Sequence, residues 1–528
     1  MQTLVIFVFL LFVAISCSNT KLANSSRTTT SFKRPNIVFI MTDDHTKQAM
    51  SSYNSIINQT PNLDRIANGG VKFLNSFCTN SICAPSRAVA LTGKYSHMNG
   101  LRDNRDKFDN SQMTFPKLLQ DAGYKTAVIG KWHLKSEPTG FDTWKILPGQ
   151  GAYYNPTFIE NGDTSKYEGY VTNLITDFAL ETLDEFGQDD PFCMLYFHKA
   201  PHRNWMPDTT HLTLYDSVDI PIPDTFFDDY KTREATAGAQ DMEVLNLYNT
   251  FDMKIHQTEG EEVYSGGNKV FKTRARMLWE RSYNSLTDDQ KAAWDAAYNP
   301  KNQEFLEANL SGDDLAKWKY QRYIKDYLRC VQSVDENIGR LLDYLEEAGL
   351  AENTIVIYTS DQGFYLGEHG WYDKRFMYEE SLGTPLLVRY PHEIKPGTIS
   401  DDMVMNLDFC PTILDYAGVE IPIDIQGESL RPILQGIPPE TWREEIYYHY
   451  YEYPHGWHDV KKHYGIRTKT HKLIQFYGEL VTKELFDLEH DPKELNNVYD
   501  NPEYAEVQRE LEFKLHELRL KYQDNTEG

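Results

Sequence analysis

Four short stretches of the chain, residues 36–41, 126–129, 192–197 and 354–358, carry apolar side chains almost without interruption. Runs of this length without polar alternation predict strands buried on both faces, as in a parallel sheet. Between them the pattern shifts to helical spacing. Residues 171–186 predict one amphipathic helix, and residues 317–350 a long one with Leu328, Val331, Val334, Ile338, Leu341, Leu342 and Leu345 along a single stripe. Residues 115–124 predict a third helix with Gly123 past its end, Thr60 opens another, and residues 408–418 close on a glycine. Shorter apolar runs at 71–73 and 385–388 add two strands. Strands alternating with helices in this way predict an α/β sandwich. From about Trp442 the texture becomes Tyr-rich and alternating, over residues 445–451, 464–467, 471–476 and 484–488. That period predicts a small antiparallel sheet, followed by a charged amphipathic helix over 503–522. Residues 207–315 are the least regular and read as an elaboration over the core that helps to shape a cleft.

Polar residues sit where the apolar runs stop. The first run ends at Asp43-Asp44, the second leads into Lys131 and His133, the third precedes His202, and the fourth delivers Asp361-Gln362. Open α/β sheets place ligands at the carboxyl ends of their strands, so these residues are expected on one edge. Adjacent aspartates repel unless a cation or solvent separates them. The oxygen-rich set Asp43, Asp44, Asp361 and Gln362 suits a hard divalent cation, Ca²⁺ more than Zn²⁺. His198 is expected to be a packed strand-end residue, and His455, His458 and His463 to lie on the surface. His45 and His369 lie close in sequence to these site residues.

The N-terminus has its own texture. Residues 4–15 are apolar, too few to span a bilayer but suited to the core of a signal peptide. Ala14-Ile15-Ser16-Cys17 is similar to a bacterial lipobox, which makes Cys17 a candidate for lipidation. Residues 18–33 form a polar Ser/Thr/Asn tether. The expected destination is the bacterial cell envelope, as a periplasmic or outer-membrane lipoprotein, with plain secretion as the alternative.

Charge and cysteines narrow the chemistry. With 53 basic and 78 acidic residues the net charge is −25, which argues against nucleic acid as a partner. A polyanionic substrate would also be repelled at long range, so local Arg, Lys and metal charge would have to hold it. Six cysteines in 528 residues make no disulfide framework. Cys193 and Cys410 lie in apolar runs that read as core, and Cys78 is near enough to Cys83 to compete as a thiol.

The stretch Cys83-Ala84-Pro85-Ser86-Arg87, ending at Thr92-Gly93, reads as a nucleophile at the start of a helix, with Pro85 suited to a first helical position. It resembles the type I sulfatase signature, Cys/Ser-x-Pro-Ser-Arg followed by Thr-Gly. Gly130-Lys131-Trp132-His133, Ala200-Pro201-His202, Gly367-Glu368-His369-Gly370 with Lys374, and Glu484-Leu485-Phe486-Asp487-Leu488 resemble further landmarks of that family, in its order. The resemblance implies an alkaline-phosphatase-like fold with a large, mostly parallel sheet between helices. Residues 34–435 would form the catalytic domain, and residues 436–528 a C-terminal subdomain of antiparallel sheet and helix. It also implies that a maturation enzyme oxidises Cys83 to formylglycine (3-oxoalanine). One calcium ion per chain would be bound by Asp43, Asp44, Cys83, Asp361 and Gln362.

By the same resemblance the aldehyde hydrates to a diol whose calcium-polarised hydroxyl attacks sulfur. His202 with Lys374 would protonate the departing sugar oxygen, and His133 would take a proton from the second hydroxyl to expel sulfate. Arg87 and Lys131 would hold the formylglycine and sulfate oxygens. The segment 149–156 and the run 102–105 resemble the bacterial branch related to N-acetylglucosamine-6-sulfatases. That implies a carbohydrate sulfatase acting on algal polysaccharides such as ulvan, or on glycosaminoglycan oligosaccharides, with Arg102, Arg105, His369, Trp371 and Arg375 as substrate contacts. A phosphomonoester or phosphonate hydrolase of the same superfamily is one alternative. A non-catalytic carbohydrate-binding relative is another, disfavoured by the intact Cys83 motif.

Overall fold

The computed structural model describes residues 34–187, 189–255, 269–455 and 458–526, without side-chain surroundings for 269–273. The apolar segment 4–15, the lipobox cysteine Cys17 and the tether lie outside the described residues. Ten strands form the main sheet: β1 (Asn36–Thr42), β2 (Val71–Phe77), β3 (Lys125–Gly130), β4 (Thr143–Ile146), β5 (Thr157–Glu160), β6 (Asp163–Lys166), β7 (Phe192–Phe197), β8 (Thr354–Ser360), then β11 (Leu386–Arg389) and β12 (Thr398–Met405). A two-stranded ribbon, β9 (Tyr365–Leu366) and β10 (Tyr372–Asp373), lies between β8 and β11 in the chain.

The order across the sheet is β12-β2-β11-β8-β1-β7-β3-β4-β5-β6. The four apolar runs read from the sequence are β8, β1, β7 and β3, neighbours at its centre and all parallel. Their carboxyl ends therefore open on one edge. β11 runs against both its neighbours, and β4 to β6 continue as antiparallel strands.

Successive residues of a strand face opposite sides of a sheet. Val38 and Ile40 enter a core shared with the helices Val171–Phe186 and Gly312–Glu347, while Ile37, Phe39 and Met41 enter one shared with Cys83–Thr92, Phe115–Asp121 and Phe409–Ala417. Both faces of β1 are buried, which is why its sequence shows no alternation. Phe39 meets Phe115, Phe197 and Phe409 edge-on at 6.3, 5.7 and 5.5 Å. Truncating it to Ala would cost about 3–5 kcal/mol.

The Tyr-rich region forms a second sheet, β13 (Glu445–Tyr450), β14 (His463–Thr468), β15 (His471–Phe476) and β16 (Thr482–Asp487), antiparallel throughout, backed by the helix Ala505–Lys521. A third apolar cluster joins this sheet to the site region, combining Phe77, Ile82 and Val89 with Tyr447, Tyr448, Leu473 and Leu515. One expectation fails here. His458 and His463 are buried, because Asp241 and Asp373 flank the first and the rings of Tyr448, Tyr450 and Phe476 pack round the second; only His455 is exposed. No described helix is long and apolar enough to cross a membrane.

Candidate active site

The helix Cys83–Thr92 starts at the cysteine itself, and every residue of it is buried. Pro85 is thus its third residue rather than its first. That position still lies among the four whose N–H has no intrahelical partner, so nothing is lost. Gly93 takes the left-handed conformation (φ 65°) that ends the helix, its N–H bonding to the carbonyl of Val89 at 2.8 Å. The opposite end presents the positive pole of the helix beside Cys83.

β1 and β8 deliver the acidic groups. Oxygens of Asp43, Asp44 and Asp361 lie within 4.8 Å of one another, and Asp43, Cys83 and His202 form a second such group. Each carboxylate has one cationic partner. Lys131 donates to Asp43, Lys374 to Asp44 Oδ1 at 2.6 Å, and Arg87 to Asp361 Oδ2 through Nε at 3.0 Å, with Nη2 2.9 Å away as an ion-pair contact. Lys374 Nζ is also 3.6 Å from Cys83 Sγ. Lys131 reaches its place because the chain turns sharply at Gly130 (φ 107°), where a Cβ would meet the Phe197 carbonyl at 1.9 Å. Only glycine fits there.

Three buried oxygens in this group accept no hydrogen bond: Asp43 Oδ1, Asp44 Oδ2 and Gln362 Oε1. Buried acceptors are nearly always satisfied. Burial outweighs the pull of Lys374 and, with Asp43 alongside, raises Asp44 to about 6. Asp361 rises to about 7 through burial and the charge of Asp43, despite Arg87. Burial acts on Asp43 as well, but the combined charge of Lys131, His202 and Arg87 takes it well below the usual carboxylate range. Carboxylate and amide oxygens at this spacing are the donor set of a Ca²⁺-type cation, whose ligands sit about 2.3–2.6 Å from the ion. The residues fit such an ion.

His202 donates from Nδ1 to the carbonyl of Arg203, which leaves Nε2 as the free nitrogen of the neutral ring. Burial lowers its pKa well below the ordinary value, Asp43 notwithstanding. His133 is half-buried with φ 60°, its Nδ1 has no partner, and burial together with Lys131 lowers it too. Burial, reinforced by Asp43, holds the Cys83 thiol protonated. As a plain thiol it is a poor nucleophile, since the thiolate is the reactive form. Cys78, the thiol expected to compete, is buried and bonded to Ser81 and the Leu382 carbonyl.

A cleft of about 640 Å³ opens over these groups, lined by Cys83, His202 and Lys374 at its base. Arg375 also lines it, clamped between Asp373 (2.9 Å) and Glu452. The remaining expected substrate contacts are elsewhere. His369 and Trp371 are fully buried off the cleft, His369 bonded to Asp228 at 2.9 Å and Trp371 stacked on Tyr230, Phe376 and Tyr378. Arg102 and Arg105 are exposed on the loop that carries Asn104 and do not line the cleft. Conversely, several lining residues carried no individual signal in the sequence. Gln150 accepts from Lys131, and Tyr153 donates to the His202 carbonyl at 2.6 Å and sits under Lys199 at 4.6 Å; both fall in the 149–156 segment noted above. Asp373, Lys199 and Arg281 were missed altogether.

The sulfatase family pattern matches residues 35–419, and the pattern for the C-terminal part of N-sulphoglucosamine sulphohydrolase matches residues 367–521. The chain belongs to the sulfatase family. It is 51% identical over 499 residues to the N-acetylglucosamine-6-O-sulfatase of Bacteroides thetaiotaomicron, covering 93% of this chain and 88% of the relative. The human N-acetylglucosamine-6-sulfatase is 28% identical, over 79% of this chain and 67% of the relative. A solved structure of a protein in complex with its substrate D-glucosamine-2-N,6-O-disulfate superposes with a TM-score of 0.89 at 50% identity, covering 94% of this chain and 99% of that one. This sulfatase is accordingly a sulfuric ester hydrolase with the alkaline-phosphatase-like fold that its sequence predicts.

Proposed function

We propose that the enzyme removes the 6-O-sulfate from glucosamine residues of sulfated oligosaccharides of the glycosaminoglycan type, using Cys83 matured to formylglycine and one Ca²⁺. The observation that carries this reading is the extent of the likeness: half of the aligned positions match an N-acetylglucosamine-6-O-sulfatase across nearly the whole chain. Cys83 would carry the aldehyde, whose hydrate supplies an oxygen nucleophile in place of the buried, protonated thiol. Asp43, Asp44, Asp361 and Gln362 would hold the cation. In its absence the three carboxylates are matched one for one by Lys131, Lys374 and Arg87. A divalent ion therefore makes the site net positive, the sign needed to draw a sulfate ester into a protein of charge −25.

The chain's own groups account for the rest. Lys131 and Lys374, fixed by Asp43 and Asp44, are placed to offset charge on the sulfate oxygens as the ester bond breaks. His202 is neutral in the free enzyme; the negative charge of a bound ester draws a proton to its Nε2, from which the leaving sugar oxygen is protonated. His133, whose Nδ1 has no partner, would accept the proton released when sulfate departs. Arg375 and Asp373 present a charged pair to the sugar. Residues 1–17 would export the protein and Cys17 would anchor it in the bacterial envelope, and a maturation enzyme would oxidise Cys83.

The test is sulfate release from glucosamine-6-O-sulfate by matured protein and by Cys83→Ala, with glucosamine-6-phosphate at equal concentration. Release of sulfate by the parent, reduced at least about 10⁴-fold in Cys83→Ala, is the expected result. Faster turnover of the phosphate ester would contradict it and favour a phosphomonoesterase.

A further inference from the structure

The cleft is lopsided in charge. Among the described residues that line it are seven Lys and Arg side chains and a single carboxylate, Asp373. Those at the base are neutralised within the protein: Lys374 by Asp44, Arg375 by Asp373 and Glu452, Arg203 by Asp252 at 2.7 Å. Further out, Lys166 on the exposed strand β6 and Arg281 on the helix Lys269–Asn284 have no ion-pair partner among the described residues. Lys199 lies on the cleft wall with only the Tyr153 ring against it.

That helix is built to face two ways. Ala275 and Trp279 are buried in the core, whereas Arg274, Leu278, Arg281, Ser282 and Ser285 all line the cleft. The lining positions fall at i, i+4, i+7, i+8 and i+11, one continuous stripe. Arg274 and Arg281, seven residues apart, stand about 10 Å from each other along it. The stripe's polar and cationic character serves no packing purpose, because the opposite face does the packing. In a chain of charge −25, Arg281 and Lys166, exposed in one cleft and without an ion-pair partner among the described residues, are a local exception that a negative ligand would complement.

The transferred sulfate is held at the base of the cleft by Lys131 and Lys374, so the outer cations face another group. We propose that Arg281, with Lys166 on the β5–β6 hairpin, binds an acidic substituent, carboxylate or sulfate, on the sugar adjoining the one that is desulfated. The enzyme then prefers acidic oligosaccharides to single sugars. This rests on the carbohydrate reading above and adds to it a second binding position.

The experiment compares kcat/KM on three disaccharides that share a glucosamine-6-O-sulfate unit and carry a neutral hexose, a uronate or a sulfated hexose as the second sugar, with the monosaccharide alongside. The parent should favour at least one acidic disaccharide over the neutral one by about 10-fold, the size of a single good charge pair, and that ratio should shrink as salt rises from about 0.05 to about 0.5 M. In Arg281→Ala and Lys166→Ala the ratio should fall toward 1, with Arg281→Lys restoring part of it. The uronate and sulfate arms show which group is recognised. Equal rates on neutral and acidic disaccharides, or a ratio unmoved by both substitutions, overturn the inference while leaving the 6-O-sulfatase reading intact. Should none of the four compounds lose sulfate, that reading falls instead. The inference is then judged by binding of the same disaccharides to Cys83→Ala, where equal affinity for neutral and acidic forms overturns it.

Discussion

Two clusters of buried charge in this molecule look alike in composition and behave as opposites. One, under the long helix Gly312–Glu347, joins Asp326 to Lys254 at 2.7 Å, Arg329 at 2.8 Å and the Tyr298 hydroxyl. Both Asp326 oxygens are occupied, and its carboxyl lies below the ordinary range because Lys254 and Arg329 overcome the effect of burial. The other, at the carboxyl ends of β1 and β8, keeps Asp43 Oδ1, Asp44 Oδ2 and Gln362 Oε1 without donors, and two of its carboxyls are raised. A satisfied network fastens a helix to the core. The unsatisfied one sets three acceptors without donors side by side at strand ends, the arrangement that a cation would complete.

Substitutions should separate the two. Asp44→Asn alters a proposed cation ligand whose second oxygen has no hydrogen-bond partner, and kcat/KM for sulfate release should fall by about 10²–10³-fold, the usual scale for losing one electrostatic stabiliser. Asp326→Ala instead takes the shared carboxylate from two buried cations, Lys254 and Arg329. Denaturant unfolding should show a loss of about 3–5 kcal/mol, with kcat/KM of the folded enzyme within about 2-fold of the parent. If Asp326→Ala abolishes turnover in protein that remains folded, the contrast breaks down.

The pH dependence sharpens the same point. Asp44 and Asp361 have pKa values raised above those of the unfolded chain, to about 6 and about 7. In cation-free protein their contribution to stability is fully present below about pH 4 and is lost as pH rises through 6 to 7. A bound cation needs both ionised. The gain in Tm on adding Ca²⁺ should therefore grow from pH 5 to pH 8, as followed by thermal melts in EDTA and in calcium. A gain that shrinks over that range would contradict these assignments. The smallest expected effect is at Arg102 and Arg105. Both are exposed beyond the cleft, and Arg102→Ala or Arg105→Ala should change kcat/KM by less than about 2-fold in the same sulfate-release assay.

The sequence reading succeeded where a local signal was tied to one structural role. Strands β1, β3, β7 and β8 are buried on both faces, so their apolar runs were unambiguous, and the polar residues directly after them had to emerge on one edge. The helix Val171–Phe186 and the strand β15 fall where their periodicity places them. β12 was missed because Ser400, Asp401 and Asp402 interrupt it at a register shift, and β4 to β6 because they are short, the first two half-buried and β6 exposed. Side-chain destinations across long sequence separations were less legible. His369 and Trp371 lie within six residues of Lys374, yet the chain reverses between β9 and β10 and sends Trp371 into the third apolar cluster and His369 against the rings of Tyr365, Trp371 and Tyr378. Arg281 is some 200 residues from Cys83, and no local pattern joins them; only the path of its helix over the cleft does.

The most direct test of the central claim is calorimetric titration of Ca²⁺ into EDTA-stripped protein, with Asp44→Asn and Asp326→Ala titrated in parallel. One ion per chain should bind the parent and Asp326→Ala, and none or far weaker binding should be seen with Asp44→Asn. Binding that survives in Asp44→Asn, or none in the parent, would show that the unsatisfied oxygens at the ends of β1 and β8 are not a cation site.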